Sequence, residues 1–396
     1  MNVAERKTLL ELLAEVPDYR KGNAIKHNLH DILAIGILAI MCNANTFTGM
    51  QLFGETHKNE LRKILELPHG IPSHDVFGDV FSRVDPESVG KCFELWLEGM
   101  KAELNALAEG EKTEHVIAVD GKRIRRSAHK EHKASHVVTA YVSELQLVLG
   151  QLCTDEKSNE IKAIPELLEL LTIRGCIVTI DAMGTQREIA EKIIKKGGDY
   201  ILALKKNQSG LLDVLQFGAE MELRDRLEED LDVKGLHYCT IEKGHGRIEE
   251  RDCWIFPGLP DEEARSQWTG LYGAALIRST RTTVEGQSST TDRWFIYSRK
   301  DMTAKEFLSM QRRHWAIENN LHWTLDVCFH EDNAHIRLGH AAVILNMFRK
   351  LCMQLLKADT SFKGSMQSKR LRCAWDISYA LSVLFNTNLC SAARVS

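Results

Sequence analysis

Two short stretches decide the fold: His115-Val-Ile-Ala-Val-Asp120 and Cys176-Ile-Val-Thr-Ile-Asp181. Each reads as an apolar β-strand that ends in a carboxylate. Between them lie two more strand-like runs, Val137–Val142 and Leu145–Cys153, split at Ser143-Glu144, and an amphipathic helix from Glu160 to Leu171. After the second stretch come a helix over Gln186–Lys196 and a third such strand, Tyr200–Leu204. The order strand, strand, strand, helix, strand, helix, strand is an α/β pattern that begins with an antiparallel meander.

Outward from this centre the pattern changes on both sides. Residues 1–110 read as helices: Leu9, Leu10, Leu12 and Leu13 follow a helical period, and Ile32–Met41 is apolar all round, as a buried helix would be. Ser73 is placed to cap a helix over Asp75–Arg83. The polar stretch Ala108–Glu114 marks a boundary, and the α/β region is taken to start at 111. Beyond 206 an acidic helix-like run (Glu220 to Asp232) precedes β-type segments at Leu236–Glu242, Ile248–Ile255, Gly273–Arg278 and Arg293–Tyr297, so 207–299 reads as a β-rich insertion. The helical period returns from Thr303 to about Lys357, closing a segment 300–358, and a further helix over Trp375–Phe385 falls in a tail, 359–396.

Composition sets the outer limits. The 396 residues carry 51 Lys and Arg against 55 Asp and Glu, a net charge of −4, which excludes a histone-like basic coat but not an enzyme with local basic patches. The 44% hydrophobic fraction excludes a disordered chain. The longest apolar run, Ile32–Cys42, falls short of the roughly 18 to 20 residues that cross a bilayer, so no membrane association is expected. Ten cysteines lie so far apart that no Cys-x-x-Cys exists; free thiols of this kind fit a cytoplasmic protein.

Open α/β sheets place ligands at the carboxyl ends of their strands. If the strands ending in Asp120 and Asp181 are neighbours, the two carboxylates converge, and like charges at that distance call for a cation. Mg²⁺ suits carboxylate oxygens. A third acid would allow two ions about 4 Å apart to act on a phosphodiester. Either Asp alone could equally be a turn former or a helix N-cap. The third acid is expected after residue 303, and Glu318 in Arg312-Arg313-His314-Trp-Ala-Ile-Glu318-Asn-Asn-Leu-His322 is the choice, with Asp326, Glu331 and Asp332 as fallbacks. His314, Glu318 and His322, spaced i, i+4, i+8, also allow a His-Glu-His transition-metal reading. Lys122, Arg123, Arg125, Arg126, Lys130 and Lys133 follow Asp120 as a basic stretch that could contact phosphates or could be a solvated loop. Lys205, Lys206, Arg312 and Arg313 extend this surface, with His314 and His322 as further DNA-facing residues. Arg349, Lys350, Lys369, Arg370 and Arg372 read as general backbone contacts or plain surface.

The blocks Val-Ala-Val-Asp120-Gly-Lys, Lys157-Ser-Asn-Glu-Ile161, Asp181-Ala-Met-Gly-Thr-Gln186, Asp199-Tyr-Ile-Leu-Ala-Leu-Lys205-Lys-Asn-Gln208, His314-Trp-Ala-Ile-Glu318 through Asp326, and Phe329-His-Glu-Asp332 carry a resemblance. With Asp18-Tyr-Arg20 and Pro72-Ser-His-Asp75, they resemble bacterial insertion-sequence transposases of the ISAs type, which include the H-repeat-associated proteins of Rhs elements. The resemblance spans essentially the whole chain. It implies a ribonuclease-H-like catalytic domain, a mixed sheet flanked by helices, with a β-rich insertion and a helical N-terminal DNA-binding domain. It further implies an Asp120, Asp181 and Glu318 triad holding two Mg²⁺ or Mn²⁺ ions. The implied activity is hydrolysis at element ends followed by joining of the 3′-hydroxyl to target DNA. Double-stranded DNA, as terminal inverted repeats and target, is the implied partner, and handling two ends at once predicts a homodimer at the nucleoid. The wider superfamily's Tyr-x2-Arg-x3-Glu-x6-Lys signature is met only at its Glu, since Gln311, His314 and Leu325 hold the other places. A nuclease without strand transfer, or a relative that only binds DNA, would share much of this pattern.

Overall fold

The computed structural model describes residues 7–22, 25–108, 115–128, 134–154, 160–228, 235–244 and 246–385. Six helices come first: α1 (Leu9–Ala14), α2 (Leu29–Met41), α3 (Phe47–Thr56), α4 (Lys58–Leu61), α5 (His74–Arg83) and α6 (Pro86–Ala108). A reciprocal cap starts α1, where Thr8 Oγ1 accepts from the Glu11 amide and the Glu11 carboxylate accepts from the Thr8 amide. Ser73 caps α5 as expected, its hydroxyl accepting from the Val76 amide. Every residue of α2 except His30 is buried, which is what an apolar-all-round sequence requires.

The sheet is built from β1 (Val116–Arg123), β2 (His136–Val142), β3 (Leu147–Thr154), β4 (Ile177–Ile180), β5 (Asp199–Leu204), β6 (His237–Gly244), β7 (Arg247–Pro257), β8 (Gly273–Thr283) and β9 (Ser288–Tyr297). Its order is β3-β2-β1-β4-β5-β9-β8-β7-β6. Strands β1, β4 and β5 run parallel, and β2 runs antiparallel to both β1 and β3. The first five strands therefore form a ribonuclease-H-like sheet. Helices α7 (Glu160–Leu170) and α8 (Arg187–Lys195) supply the crossovers, and α9 (Ser209–Glu228) leaves β5.

The β-rich insertion does not form a sheet of its own. Leu202 and Leu204 of β5 pair with Ile296 and Trp294 of β9, so β6–β9 prolong the central sheet. The physical reason is that β5 would otherwise present a row of unpaired amides and carbonyls. The short α10 (Glu262–Gln267) joins β7 to β8.

One face of the sheet packs on α11 (Ala304–His314): Val116, Ile177, Ile201, Ile255, Ile277 and Phe295 meet Phe307, Leu308 and Met310. The period-two alternation of strands puts Ala118, Asp120 and Lys122 on this face too. Instead of one helix to Lys357, the chain widens into a π turn (Ile317–His322), resumes as α12 (Trp323–Val327) and breaks at His330, which takes φ 53°. Gly339 lies in the same break because a Cβ there would meet the Ser82 carbonyl at 2.1 Å. Then come α13 (Ala341–Ala358), α14 (Met366–Trp375) and α15 (Ile377–Phe385). Among the described residues, no helix is long and apolar enough to cross a membrane.

The expectation that Arg349, Lys350, Lys369 and Arg370 lie at the surface is overturned: all four are buried. Each finds polar partners inside. Arg370 donates to the Ile40 carbonyl at 2.6 Å and lies over the Phe329 ring, and Lys369 donates to the Leu356 carbonyl at 2.7 Å. Arg372 stacks on Phe362 and Tyr379.

Candidate active site

The parallel ladder between β1 and β4 closes with Val119 opposite Ile180. The next residue on each strand is an aspartate, so Asp120 and Asp181 occupy adjacent register positions on the face that α11 covers. Their approach differs from the sequence expectation in one respect. Asp181 follows the last residue of β4, but β1 continues past Asp120 to Arg123, because Gly121, Lys122 and Arg123 still pair with β2. Asp120 is thus an interior strand residue facing Thr139. Asp181 also caps a short turn, its Oδ1 accepting from the amides of Met183 at 3.1 Å and Gly184 at 3.3 Å. Gly121 has to be glycine: an added Cβ would meet Glu160 Oε1 at 2.2 Å and His136 Nε2 at 2.7 Å, where those two buried side chains pair behind the strand.

Two imidazoles cover the carboxylates. His314 Nδ1 lies 2.9 Å from Thr179 Oγ1, two residues before Asp181. His322 Nδ1 lies 3.6 Å from Asp120 Oδ2, and its Nε2 is buried without a hydrogen-bond partner among the described residues. Burial pushes His314 down to about 4, against the pull of Asp181. It pushes His322 down to about 3, helped by Lys122 and Lys350. Both rings are therefore neutral near pH 7. The structure turns them inward to the aspartates, not outward as phosphate contacts.

Glu318 stands between these histidines in sequence but is exposed, and it lines a cavity with Arg293, Arg251 and Trp315. Among the described residues, the group whose ligand atoms all lie within 4.8 Å of one another is Cys239, Glu250 and Asp252 on β6 and β7; Asp120, Asp181 and Glu318 stand further apart than that. The His314–Glu318–His322 set likewise does not converge.

The fallback acids have other work. Glu331 is 0% exposed and accepts from Asn346 Nδ2 at 2.8 Å, with Lys122 Nζ at 3.1 Å and Arg349 Nη1 at 3.4 Å. Burial alone would raise its pKa, yet Lys122, Arg349, Asn346 and Lys350 together bring it down to about 2. Asp326 takes Lys122 at 2.5 Å, and Asp332 takes Arg125 at 3.2 Å. Lys122, expected to contact phosphate, is instead the cation of a buried network. Lys350 belongs to the same network and donates to Thr139 Oγ1 at 2.7 Å and Gln151 Oε1 at 2.6 Å. These two acceptors and Asp120 form one row across β1, β2 and β3. Burial lowers Lys350 to about 7.

Of the remaining basic residues, Arg123, Lys205 and Lys206 are exposed at the ends of β1 and β5. Arg126 lies 2.9 Å from His335 Nε2, Arg312 pairs with Glu242, and Arg313 pairs with Glu144 at 2.7 Å. Lys130, Lys133 and Lys157 lie outside the described residues. Thr179 and the Glu160–His136 pair were not singled out from sequence, and Lys350 was read there only as a backbone contact or surface residue. A glycine directly after a strand aspartate was the one available signal, since glycine within a strand marks a close approach.

A ribonuclease-H-like sheet with paired aspartates on adjacent parallel strands, under a helix that bears a glutamate, defines the DDE class of nucleic-acid enzymes. The comparisons agree. The family model described as Transposase DDE domain matches residues 111–355, and the DDE_Tnp_1-associated model matches residues 10–97. This chain belongs to the DDE transposase family, within its Rhs-associated group. It is 37% identical over 398 residues to the "H repeat-associated putative transposase YhhI" of Escherichia coli (strain K12), which covers 97% of this chain and 100% of that protein. It is 40% identical over 260 residues to YbfD of the same strain and description, covering 65% of this chain and 97% of that one. Among solved structures, a piggyBac transposase synaptic complex with hairpin DNA aligns with 97% of this chain and 79% of its own, at a TM-score of 0.43 and 10% identity.

Proposed function

We propose that this chain cuts DNA at the ends of an insertion sequence by metal-dependent hydrolysis and joins the freed 3′-hydroxyl to target DNA. The observation that carries the reading is the register: Asp120 and Asp181 are side by side, one step beyond the Val119–Ile180 pair. Their oxygens are hard donors of the kind Mg²⁺ and Mn²⁺ prefer. The nearby histidines are neutral, and Lys122 is engaged by Glu331 and Asp326, so the donor set fits a divalent cation. Asp120 and Asp181 would hold the first ion, and a second would need Glu318, the proposed third acid, to come closer to them than it stands here. When bound, such ions render a water or 3′-hydroxyl oxygen nucleophilic and steady the leaving oxygen.

The chain's own residues do the rest. His314 fixes the end of β4 through Thr179, and the buried His322 ring packs beside the Asp120 carboxylate and keeps bulk water from it. Lys122 and Lys350 tie the β1 and β2 positions beside Asp120 to α13 and the Glu331 break. Arg123, Arg125, Arg126, Lys205 and Lys206 supply positive charge along the edge from which DNA would approach, whereas Arg313 is held by Glu144 at the opposite end of β1. The helices before residue 110 would read the terminal inverted repeats, and a homodimer would hold two ends together.

The test uses a duplex that carries one element end, incubated with Mg²⁺ and with a pre-nicked version in parallel. Wild type should cut the first and join the second to target DNA. Asp120→Ala, Asp181→Ala and Glu318→Ala should each abolish both reactions while DNA binding persists. Cutting without joining would leave a nuclease, and normal cutting by Glu318→Ala would move the third-acid role elsewhere.

A further inference from the structure

Resting on the transposase reading, we propose that the arginine-lined cavity between the insertion strands and the Glu318 turn is a phosphodiester site that seats the backbone of one DNA strand beside Glu318.

The cavity measures about 440 Å³, and Phe295, Leu308 and Trp315 are its apolar lining beside Ile277. Its charged wall follows from strand alternation. In β7, Glu249 and Arg251 share a face; the β8 residues opposite them are Arg281 and Ser279, and Arg293 of β9 lies opposite Ile277. All of these line the cavity, as do Arg247 and, from α11, Arg312. Five guanidinium groups therefore gather where three carboxylates, Glu249, Glu242 and Glu318, are within their reach.

The sharing is uneven and leaves the wall with more guanidinium than carboxylate charge. Glu249, only 12% exposed, pairs with three arginines at once: Arg247 at 2.7 Å, Arg281 at 3.2 Å, and Arg251. Glu242 is divided between Arg251 and Arg312. The Arg293 guanidinium lies over Trp315 at 4.7 Å from the ring centre, and Glu318 is the carboxylate whose charge favours its ionised form. Like charges held this close in a partly enclosed cleft gain most from an anion with several acceptor oxygens. Guanidinium forks match phosphate in geometry, which a lysine cluster would not. Because the wall is charged and fixed by β-pairing, it reads backbone and not base sequence. Glu318 lies on its rim, so a strand seated there passes the acid assigned to the reaction.

The test is DNA binding by the full-length chain, followed by anisotropy of a fluorescein-labelled oligonucleotide, single-stranded and duplex, in EDTA so that no cleavage intervenes. For Arg281→Gln with Arg293→Gln, affinity at about 100 mM salt should fall at least tenfold, and the slope of log K against log salt should shrink by roughly two. Arg281→Lys with Arg293→Lys should retain most of the slope. If the double Gln variant loses its wild-type circular dichroism, Arg293→Gln alone serves, with a slope change of about one. Unchanged affinity and slope in a folded variant would overturn the site. Millimolar inorganic phosphate at constant ionic strength should not displace the oligonucleotide; displacement would make this a free-anion site and overturn the strand assignment. Failure of wild type to bind any DNA would sink the transposase reading along with it. Binding that depends on these arginines without cleavage in Mg²⁺ would sink that reading alone.

Discussion

Glu331→Gln should be among the most damaging conservative substitutions in this protein, and the structure gives its size. The carboxylate is 0% exposed and is the shared anion for Lys122 at 3.1 Å and Arg349 at 3.4 Å. Glutamine keeps the shape and can still bond Asn346, so packing is nearly unchanged and the charge alone is removed. Deleting one partner of a buried pair costs about 3–5 kcal/mol, because the remaining charge stays buried. Lys122 retains Asp326 at 2.5 Å, which places the loss near the lower end. The direction of the acid's shift agrees: Lys122, Arg349, Asn346 and Lys350 outweigh burial and hold the carboxyl well below its usual range, at about 2. The sign is that of a depressed acid, so this stability is present above pH 4.5 and is lost as pH drops toward 2. Asp326 is a built-in comparison, being 32% exposed and leaving Lys122 its Glu331 partner. Asp326→Asn should therefore cost about 1 kcal/mol or less. Urea unfolding followed by tryptophan fluorescence and circular dichroism measures both. A Glu331→Gln loss under about 1 kcal/mol, or one no larger than that of Asp326→Asn, would refute the network's buried-charge logic.

Gly121→Ala should destabilise by more than about 2 kcal/mol and weaken cleavage, since its methyl meets the buried Glu160–His136 pair one residue from Asp120. Gly210→Ala, in the first turn of α9 with open space around it, should be neutral or slightly stabilising; equal losses at the two sites in thermal melts would contradict the close-approach argument. His314 and His322 are bases lowered to about 4 and about 3, so the unfolded chain binds protons first as pH falls below 6.5. In EDTA, each should cost roughly 2 kcal/mol of stability between pH 7.5 and 5, and His314→Asn with His322→Asn should flatten that dependence. A wild-type stability constant across this window would show that the rings are not buried neutral.

Much of this was legible because the sheet centre is built from short apolar strands, whose period and end residues are local properties. The pairing of β1 with β4 was only a condition in the sequence, because β2, β3 and α7 separate the two strands in the chain, and it is the parallel ladder that supplies it. What the chain did not disclose is non-local. Lys350 and Arg349 carry the charge of surface residues, and only the distant Glu331, Thr139 and Gln151 make their burial tolerable. The β-type segments of the insertion were visible in the sequence but their partner was not, because edge pairing of β5 with β9 is decided by three-dimensional proximity. Helical spacing placed His314, Glu318 and His322 on one face, but the π turn changes the angular step, so the histidines serve the aspartates and Glu318 turns toward Arg293.

The central claim is that Asp120 and Asp181 form the divalent-metal site, and iron substitution tests it most directly. With Fe²⁺ in place of Mg²⁺, ascorbate and peroxide generate radicals that cut the polypeptide next to the bound ion, and mass spectrometry locates the cuts. The account predicts cleavage close to residues 120 and 181, with a further cut near 318, all suppressed by excess Mg²⁺ and absent in Asp120→Asn with Asp181→Asn. Cuts confined to the hairpin that carries Cys239, Glu250 and Asp252, or unaffected by the aspartate substitutions, would contradict it.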